Sequence, residues 1–161
     1  MNSSVLDTDS SLGFVGLGSI GLPIAANLIA QGYKLKVHSK SRISEKDIRL
    51  KEATACPTPS QVAEGSDVLL LCVSDDEAVE AVLFGPNGAS ESLREDSIVL
   101  DLSTISPSKA RSCANRLSRE NIVYLDAPVS GGTEAAKTGK LTIFIGGNEN
   151  SIKPLKNLLD V

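Results

Sequence analysis

From Leu12 to the end of the chain, short apolar runs alternate with segments of helical periodicity. The runs at 12–16, 34–39, 54–56, 67–73, 97–101, 122–126 and 141–146 predict strands. Most are rich in Val, Ile and Leu without clean two-residue alternation, the pattern of strands covered on both faces. The stretches between them carry helix-start signals. Thr58 precedes Pro59 and stands three residues before Gln61, a capping box with proline at the first helical position. Ser74 followed by Glu77 predicts a second cap, with Ala78, Ala81 and Val82 on one stripe. Ser106 precedes Pro107, and Ala110, Cys113, Ala114 and Leu117 recur at i, i+3, i+4 and i+7. Ile152, Leu155, Leu158 and Leu159 predict a last helix. This alternation implies right-handed β-α-β units, hence an α/β fold with a doubly wound, mostly parallel sheet in three layers. Residues 1–11 read as a flexible tail and residues 12–161 as one domain, with no repeat or linker dividing it.

The turn after the first strand changes the picture from fold to chemistry. Gly16-Leu17-Gly18-Ser19-Ile20-Gly21 is G-x-G-x-x-G, between a strand and a helix carrying Ile20, Ile24 and Leu28 on one stripe, with Gly32 placed to end it. Gly16 allows the tight turn, Gly18 lets backbone approach a pyrophosphate, and Gly21 lets helix and strand pack closely. Unpaired N–H groups and the helix dipole favour an anion there. The helix near Ser74 opens instead with Asp75, Asp76 and Glu77, which repel one.

The end of the second strand selects the coenzyme. A dinucleotide site for NAD places an acid there to bind the ribose 2′-hydroxyl. This chain reads Val37-His38-Ser39-Lys40-Ser41-Arg42, with no acid. Two hydroxyls and two cations suit a 2′-phosphate, so NADP(H) is preferred and NAD(H) is the second choice. His38, the single histidine, reads as a packing residue.

Composition narrows the remaining classes. The 161 residues hold 16 Lys and Arg against 20 Asp and Glu, a net charge of −4. That acidity argues against a nucleic-acid partner. No apolar run is long enough to cross a bilayer. The polar, acidic first ten residues do not read as a signal peptide, so a cytoplasmic location is expected. Cys56, Cys72 and Cys113 are too widely spaced for a metal or redox pair.

Two further segments sit at predicted strand ends. Asp101-Leu-Ser-Thr-Ile-Ser-Pro107 carries Ser103 and Thr104 to the carboxyl edge of the sheet, where such folds bind ligands. Asp126-Ala-Pro-Val-Ser-Gly-Gly132 repeats that arrangement, and Ser130, Gly131 and Gly132 offer a hydroxyl and backbone N–H groups to a carboxylate.

These three motifs, in this order, resemble the β-hydroxyacid dehydrogenases, among them 3-hydroxyisobutyrate dehydrogenases and semialdehyde reductases, and the amino-terminal domain of 6-phosphogluconate dehydrogenase. The resemblance runs from Leu12 to the end. It implies a Rossmann-type domain with Leu17, Ser19 and Ile20 beside the pyrophosphate. It also implies Ser39, Lys40 and Ser41 at the 2′-phosphate, and Val73 and Ser74 near the nicotinamide ribose. Thr104 would lie near the nicotinamide and substrate, with Ser103 beside it. Ser130, Gly131 and Gly132 would hold the carboxylate of a small substrate. Ile20 stands where many members have Met, and Lys40 where they have Arg, a point charge in place of a fork. The family's catalytic Lys lies on a helix beyond the Rossmann domain, next to an all-helical domain through which members dimerise. No catalytic residue is therefore expected among these 161, and Lys137 and Lys140 read as surface residues. The implied reaction is hydride transfer between nicotinamide and a small β-hydroxy acid or semialdehyde, by a homo-oligomeric whole protein. The other reading is a stand-alone dinucleotide-binding module without catalysis.

Overall fold

The computed structural model describes residues 6–161. Six strands form one parallel sheet: β1 (Ser11–Val15), β2 (Lys34–His38), β3 (Thr54–Ala55), β4 (Val68–Leu71), β5 (Ile98–Asp101) and β6 (Val123–Asp126). Their order across the sheet is β3-β2-β1-β4-β5-β6. The chain thus leaves β1 in one direction and restarts at β4 in the other. The crevice at that reversal is where doubly wound sheets bind ligands.

Both faces are covered, as the apolar runs predict. All four residues of β4 are buried. Val68 and Leu70 join one core with Leu28 of α1 (Gly21–Ala30) and the carboxyl-terminal Leu155 and Leu158. Leu69 and Leu71 join the other with Val62 of α2 (Pro59–Ala63), Val79 and Leu83 of α3 (Asp76–Phe84), and Cys113 and Leu117 of α4 (Pro107–Ser118). Each fully buried Leu or Val contributes about 1.5–3 kcal/mol, so residues alternating along one strand glue two helical layers to it.

Several local expectations hold and several move. Thr58 and Ser106 cap their helices, accepting from the N–H groups of Gln61 and Lys109. Gly32 ends α1 at φ +93°, with the Tyr33 and Gly32 N–H groups returning to the carbonyls of Leu28 and Ile29. The cap of α3 is Asp75 rather than Ser74. Its extended backbone aims the carboxylate at the Ala78 N–H, and the Ser74 hydroxyl donates to it. The run at 141–146 adds no full strand to the large sheet, and only Gly146 meets it, in an isolated antiparallel bridge with Asp126 of β6. Its core, β8 (Thr142–Ile143), pairs antiparallel with an unpredicted β7 (Val129–Ser130), ahead of and beyond α5 (Gly132–Lys137). The predicted last helix is divided into α6 (Glu149–Ile152), a 3-10 turn containing Pro154, and α7 (Lys156–Leu159). Proline cannot donate the i→i−4 bond and interrupts the run. Of the expected tail, residues 1–5 lie outside the described residues. Leu6 is tied to the body, its N–H donating to Pro154 O and its carbonyl accepting from Asn157.

Candidate dinucleotide site

Five of the six strands, β2, β1, β4, β5 and β6, finish level with one another. Val15 is in register with His38 and Leu71, Leu71 with Asp101, and Asp101 with Asp126. The ladder continues one residue past each end. Gly16 N–H donates to His38 O at 3.0 Å, Cys72 to Val15 at 2.9 Å, Leu102 to Leu71 at 2.8 Å and Ala127 to Asp101 at 2.8 Å. The sheet therefore delivers the glycine turn, the Ser39 corner, the Val73 loop, the Ser103 loop and the Ala127 loop to one edge.

A cleft of about 810 Å³ opens at this edge. One wall is the corner Gly16–Gly21. Gly16 sits at φ +103°, and a Cβ there would lie 2.1 Å from Cys72 O. A Cβ on Gly21 would lie 1.9 Å from Gly16 O, while one on Gly18 would meet no atom of the described residues within 4 Å. Two glycines are thus demanded by packing and the third faces open space. Helix α1 starts beyond this corner with no side-chain cap and no acid in its first turn. The result is a concave backbone surface at a helix start whose dipole favours an anion. The opposite wall is Ala78, Ala81 and Val82 of α3. That stripe borders the cleft, and the helix instead buries Val79 and Leu83.

The end of β2 forms the far end of the cleft. Ser39 is 5 % exposed, and its buried hydroxyl has no hydrogen-bond partner among the described residues. Such an orphan is costly unless a ligand satisfies it. Lys40 and Ser41 are exposed on the same rim. Arg42 is not the second unattached cation that the sequence suggests. Its Nη1 donates to Cys56 O at 2.8 Å, and its Nε pairs with Glu45 Oε2 at 3.0 Å. The other oxygen of Glu45 accepts from Ser39 N–H at 2.7 Å. Glu45, in a 3-10 turn over Ser44–Lys46, was not singled out in the sequence. The only signal was its i, i+3 spacing from Arg42. An acid is therefore present at the end of β2 after all, supplied from seven residues downstream. His38, read from the sequence as a packing residue, is half-buried, borders the cleft and holds its Nδ1 2.9 Å from Cys56 O.

The cleft also takes in Val73 and Ser74. The Val73 N–H donates to the Ser103 hydroxyl at 3.0 Å. Ser103, expected beside the substrate, is 2 % exposed and faces inward. Its own N–H donates to Asp101 Oδ1 at 2.9 Å, and the Tyr124 hydroxyl donates to Asp101 Oδ2 at 2.7 Å. Burial pushes the Asp101 carboxyl above its ordinary pKa. No sequence signal links Asp101 to Tyr124, because their pairing exists only in the β5–β6 register. Thr104 is exposed at the next position, and Ser130, Gly131 and Gly132 are exposed beyond β6. These four do not border the cleft that unites Gly16–Gly21, Ser39–Ser41, Val73 and Ser74. Lys137 and Lys140 are exposed, and Lys137 pairs with Glu134. Among the described residues no helix is long and apolar enough to cross a membrane.

Comparison with known proteins agrees with this geometry. The chain is 39% identical over 151 residues to 2-hydroxy-3-oxopropionate reductase of Escherichia coli, covering 92% of this chain and 51% of that protein. A 3-hydroxyisobutyrate dehydrogenase from Salmonella typhimurium superposes with a TM-score of 0.87 at 31% identity, covering 94% of this chain and 53% of that one. Psf3, solved in complex with NADP+ and 2-OPP, gives a TM-score of 0.87 at 31% identity over 92% of this chain and 53% of that one. The chain spans about half the length of the curated relatives it matches. Residues 11–161 match the family model of the NAD binding domain of 6-phosphogluconate dehydrogenase. The glycine corner, the reversal of strand order and this match agree: the chain belongs to the family of the 6-phosphogluconate dehydrogenase NAD-binding domain.

Proposed function

We propose that this chain is the coenzyme-binding part of an NADP(H)-dependent oxidoreductase acting on small β-hydroxy acids or their semialdehydes. The observation that carries the reading is the cleft joining an uncapped, acid-free helix start to a rim with Lys40 and the orphaned Ser39 hydroxyl. The amides of the Gly16–Gly21 corner, with Leu17, Ser19 and Ile20, hold the diphosphate. Ser39, Lys40 and Ser41 bind the 2′-phosphate, where charge-assisted hydrogen bonds are the strong kind. Val73 and Ser74 border the nicotinamide ribose, and Ser103 fixes their loop from beneath. Thr104 stands toward the nicotinamide and substrate. Ser130, Gly131 and Gly132 receive the substrate carboxylate.

The bound coenzyme supplies hydride transfer, and the protein supplies orientation and electrostatics. No proton-transfer residue is assigned among these 161, since Lys137 and Lys140 are surface groups far from a role in the cleft. These residues by themselves bind coenzyme without turnover, the whole protein acts as a homo-oligomer, and its location is cytoplasmic. The relative from Escherichia coli and the NADP+-bound Psf3 support the reaction class and the coenzyme. Titration of the purified chain with NADPH and with NADH, followed by nicotinamide fluorescence, tests the proposal. Tighter binding of NADPH is expected; equal affinity or a preference for NADH overturns the role of Lys40.

A further inference from the structure

The corner after β2 offers a small set of groups to an anion: the Ser39 N–H, the Ser39 and Ser41 hydroxyls, the Lys40 ammonium and the Arg42 guanidinium. Two of these are already engaged by one carboxylate. Glu45 takes the Ser39 N–H with Oε1 at 2.7 Å and the Arg42 Nε with Oε2 at 3.0 Å. Its side chain is only 4% exposed. A backbone amide and a guanidinium on two oxygens of one anion is the donor set that a phosphate recruits. Burying a carboxylate is costly unless such donors pair with it, so Glu45 holds both firmly.

The rest of the corner fits this arrangement. Arg42 lies at φ +59°, a conformation that a non-glycine residue holds only when anchored. Its anchors are Glu45 and the Cys56 carbonyl. The His38 Nδ1 reaches that same carbonyl, which can only accept, so the imidazole donates there. Glu45 Oε1 lies farther from the ring, at 3.9 Å. The fork of Arg42 is thereby turned away from the cleft rim where Lys40 and Ser41 stand.

We infer that Glu45 is a built-in rival of the coenzyme's 2′-phosphate, and that its carboxylate, by engaging Arg42 and the Ser39 amide, sets how strongly the site prefers a phosphorylated adenosine ribose. The inference rests on the proposed placement of that ribose at the end of β2. Glu45→Gln removes the negative charge, yet its amide oxygen still accepts from the Ser39 N–H, so the turn keeps its shape. The corner then carries two positive charges where Lys40, Arg42 and Glu45 together leave one.

The probes are adenosine 2′,5′-bisphosphate and adenosine 5′-monophosphate, which differ only in the 2′-phosphate. Both are titrated calorimetrically into the full chain, with thermal midpoints confirming folding. E45Q is expected to tighten the bisphosphate about tenfold and leave the monophosphate within about twofold. R42Q in the parent chain takes the summed charge of Lys40, Arg42 and Glu45 from one to zero and leaves the Glu45 carboxylate without its guanidinium, so it is expected to lower the ratio of the two affinities about tenfold. Adding E45Q to R42Q removes that carboxylate and is expected to return the ratio to within about threefold of the parent. An unchanged or reduced ratio in E45Q, or a ratio in R42Q that E45Q does not restore, overturns the inference. The pair R42Q and R42Q/E45Q decides even if E45Q alone does not fold. A parent chain that binds neither nucleotide defeats the dinucleotide reading itself. A parent chain that binds the nucleotides while E45Q leaves their ratio unmoved defeats only the assignment to Glu45.

Discussion

At the scale of single residues, the three glycines of one motif have separable physics. Gly16 combines a left-handed backbone with a Cβ position 2.1 Å from Cys72 O, and Gly21 a Cβ position 1.9 Å from Gly16 O. Backbone cannot yield as a flexible side chain does, so Gly16→Ala should cost about 3 kcal/mol or more of folding stability. Gly18→Ala meets nothing within 4 Å and needs no unusual φ, so its stability should stay within about 0.5 kcal/mol of the parent. The same methyl stands on the surface where a diphosphate must touch backbone, and NADPH affinity should fall at least about tenfold. Urea unfolding and coenzyme titration on both variants decide the matter; a destabilised Gly18→Ala, or one that binds normally, contradicts the assignment. This part of the site was legible in the sequence because strand, turn and helix are contiguous. Glu45 was not legible, since its contacts with Ser39 and Arg42 exist only once a 3-10 turn folds the chain back. The inward placement of Ser103 is illegible for the same kind of reason. Asp101 of β5 takes its N–H and is itself held by Tyr124 of β6, while its hydroxyl accepts from Val73 just past β4, an arrangement that exists only in the folded sheet.

At the scale of elements, α3 is both a wall of the cleft and a strut fixed from behind. Its Asp76 accepts from the N–H and hydroxyl of Ser106 at the start of α4. Its Glu80 pairs with Arg116 at 2.6 Å and Lys109 at 3.1 Å, and the Arg116 guanidinium lies 3.4 Å over the Phe84 ring. The Ser106 hydrogen bonds lower the pKa of Asp76, and the Arg116 hydrogen bond, followed by that of Lys109, lowers the pKa of Glu80. A carboxyl held below its unfolded value stabilises the fold above that value, 3.8 for Asp and 4.5 for Glu, and loses the contribution as pH falls through the folded value. Stability should therefore drop between about pH 5 and pH 3, and a double variant Asp76→Asn, Glu80→Gln should drop less over the same interval. Asp101 and Asp126, whose pKa burial raises, are common to both proteins and cancel in the comparison. Parallel urea titrations showing equal drops would refute the clamp. The helix itself was predicted from Ser74 and Glu77, yet its cap lies one residue on and its alanine stripe faces the cleft. Periodicity identifies a face; it does not say whether protein or ligand covers it. No sequence period marks β7, because it is two residues long and follows Pro128.

At the scale of the whole molecule, the site lies along one edge of the sheet, joined to one core by Leu17 of the glycine corner. The wall residues follow β1, β2 and β4; β1 and β4 are buried on both faces, while β2 buries Leu35 and Val37 on one. The antiparallel β7–β8 pair and the α6–α7 segment stand apart from that cleft, with Phe144 exposed on the far ribbon. A ligand that binds only the folded state stabilises it by mass action, about 2.7 kcal/mol at a hundredfold excess over Kd. For a chain of this size that corresponds to a rise of about 5–10 °C in the thermal midpoint. The local consequence is more discriminating. Saturating NADPH should slow amide hydrogen exchange at residues 16–21, 39–45 and 72–82, because ordering those loops raises the cost of opening them. Residues 141–161 should exchange at an unchanged rate, since their hydrogen bonds run to Asp126, Pro128 and Leu6 and not to the cleft. Exchange read by mass spectrometry with and without coenzyme separates the outcomes. Protection confined to residues 130–146 would move the coenzyme site off the glycine corner. Uniform slowing across the chain would mean that opening in this protein is global, with the cleft loops no more independent than the sheet that carries them.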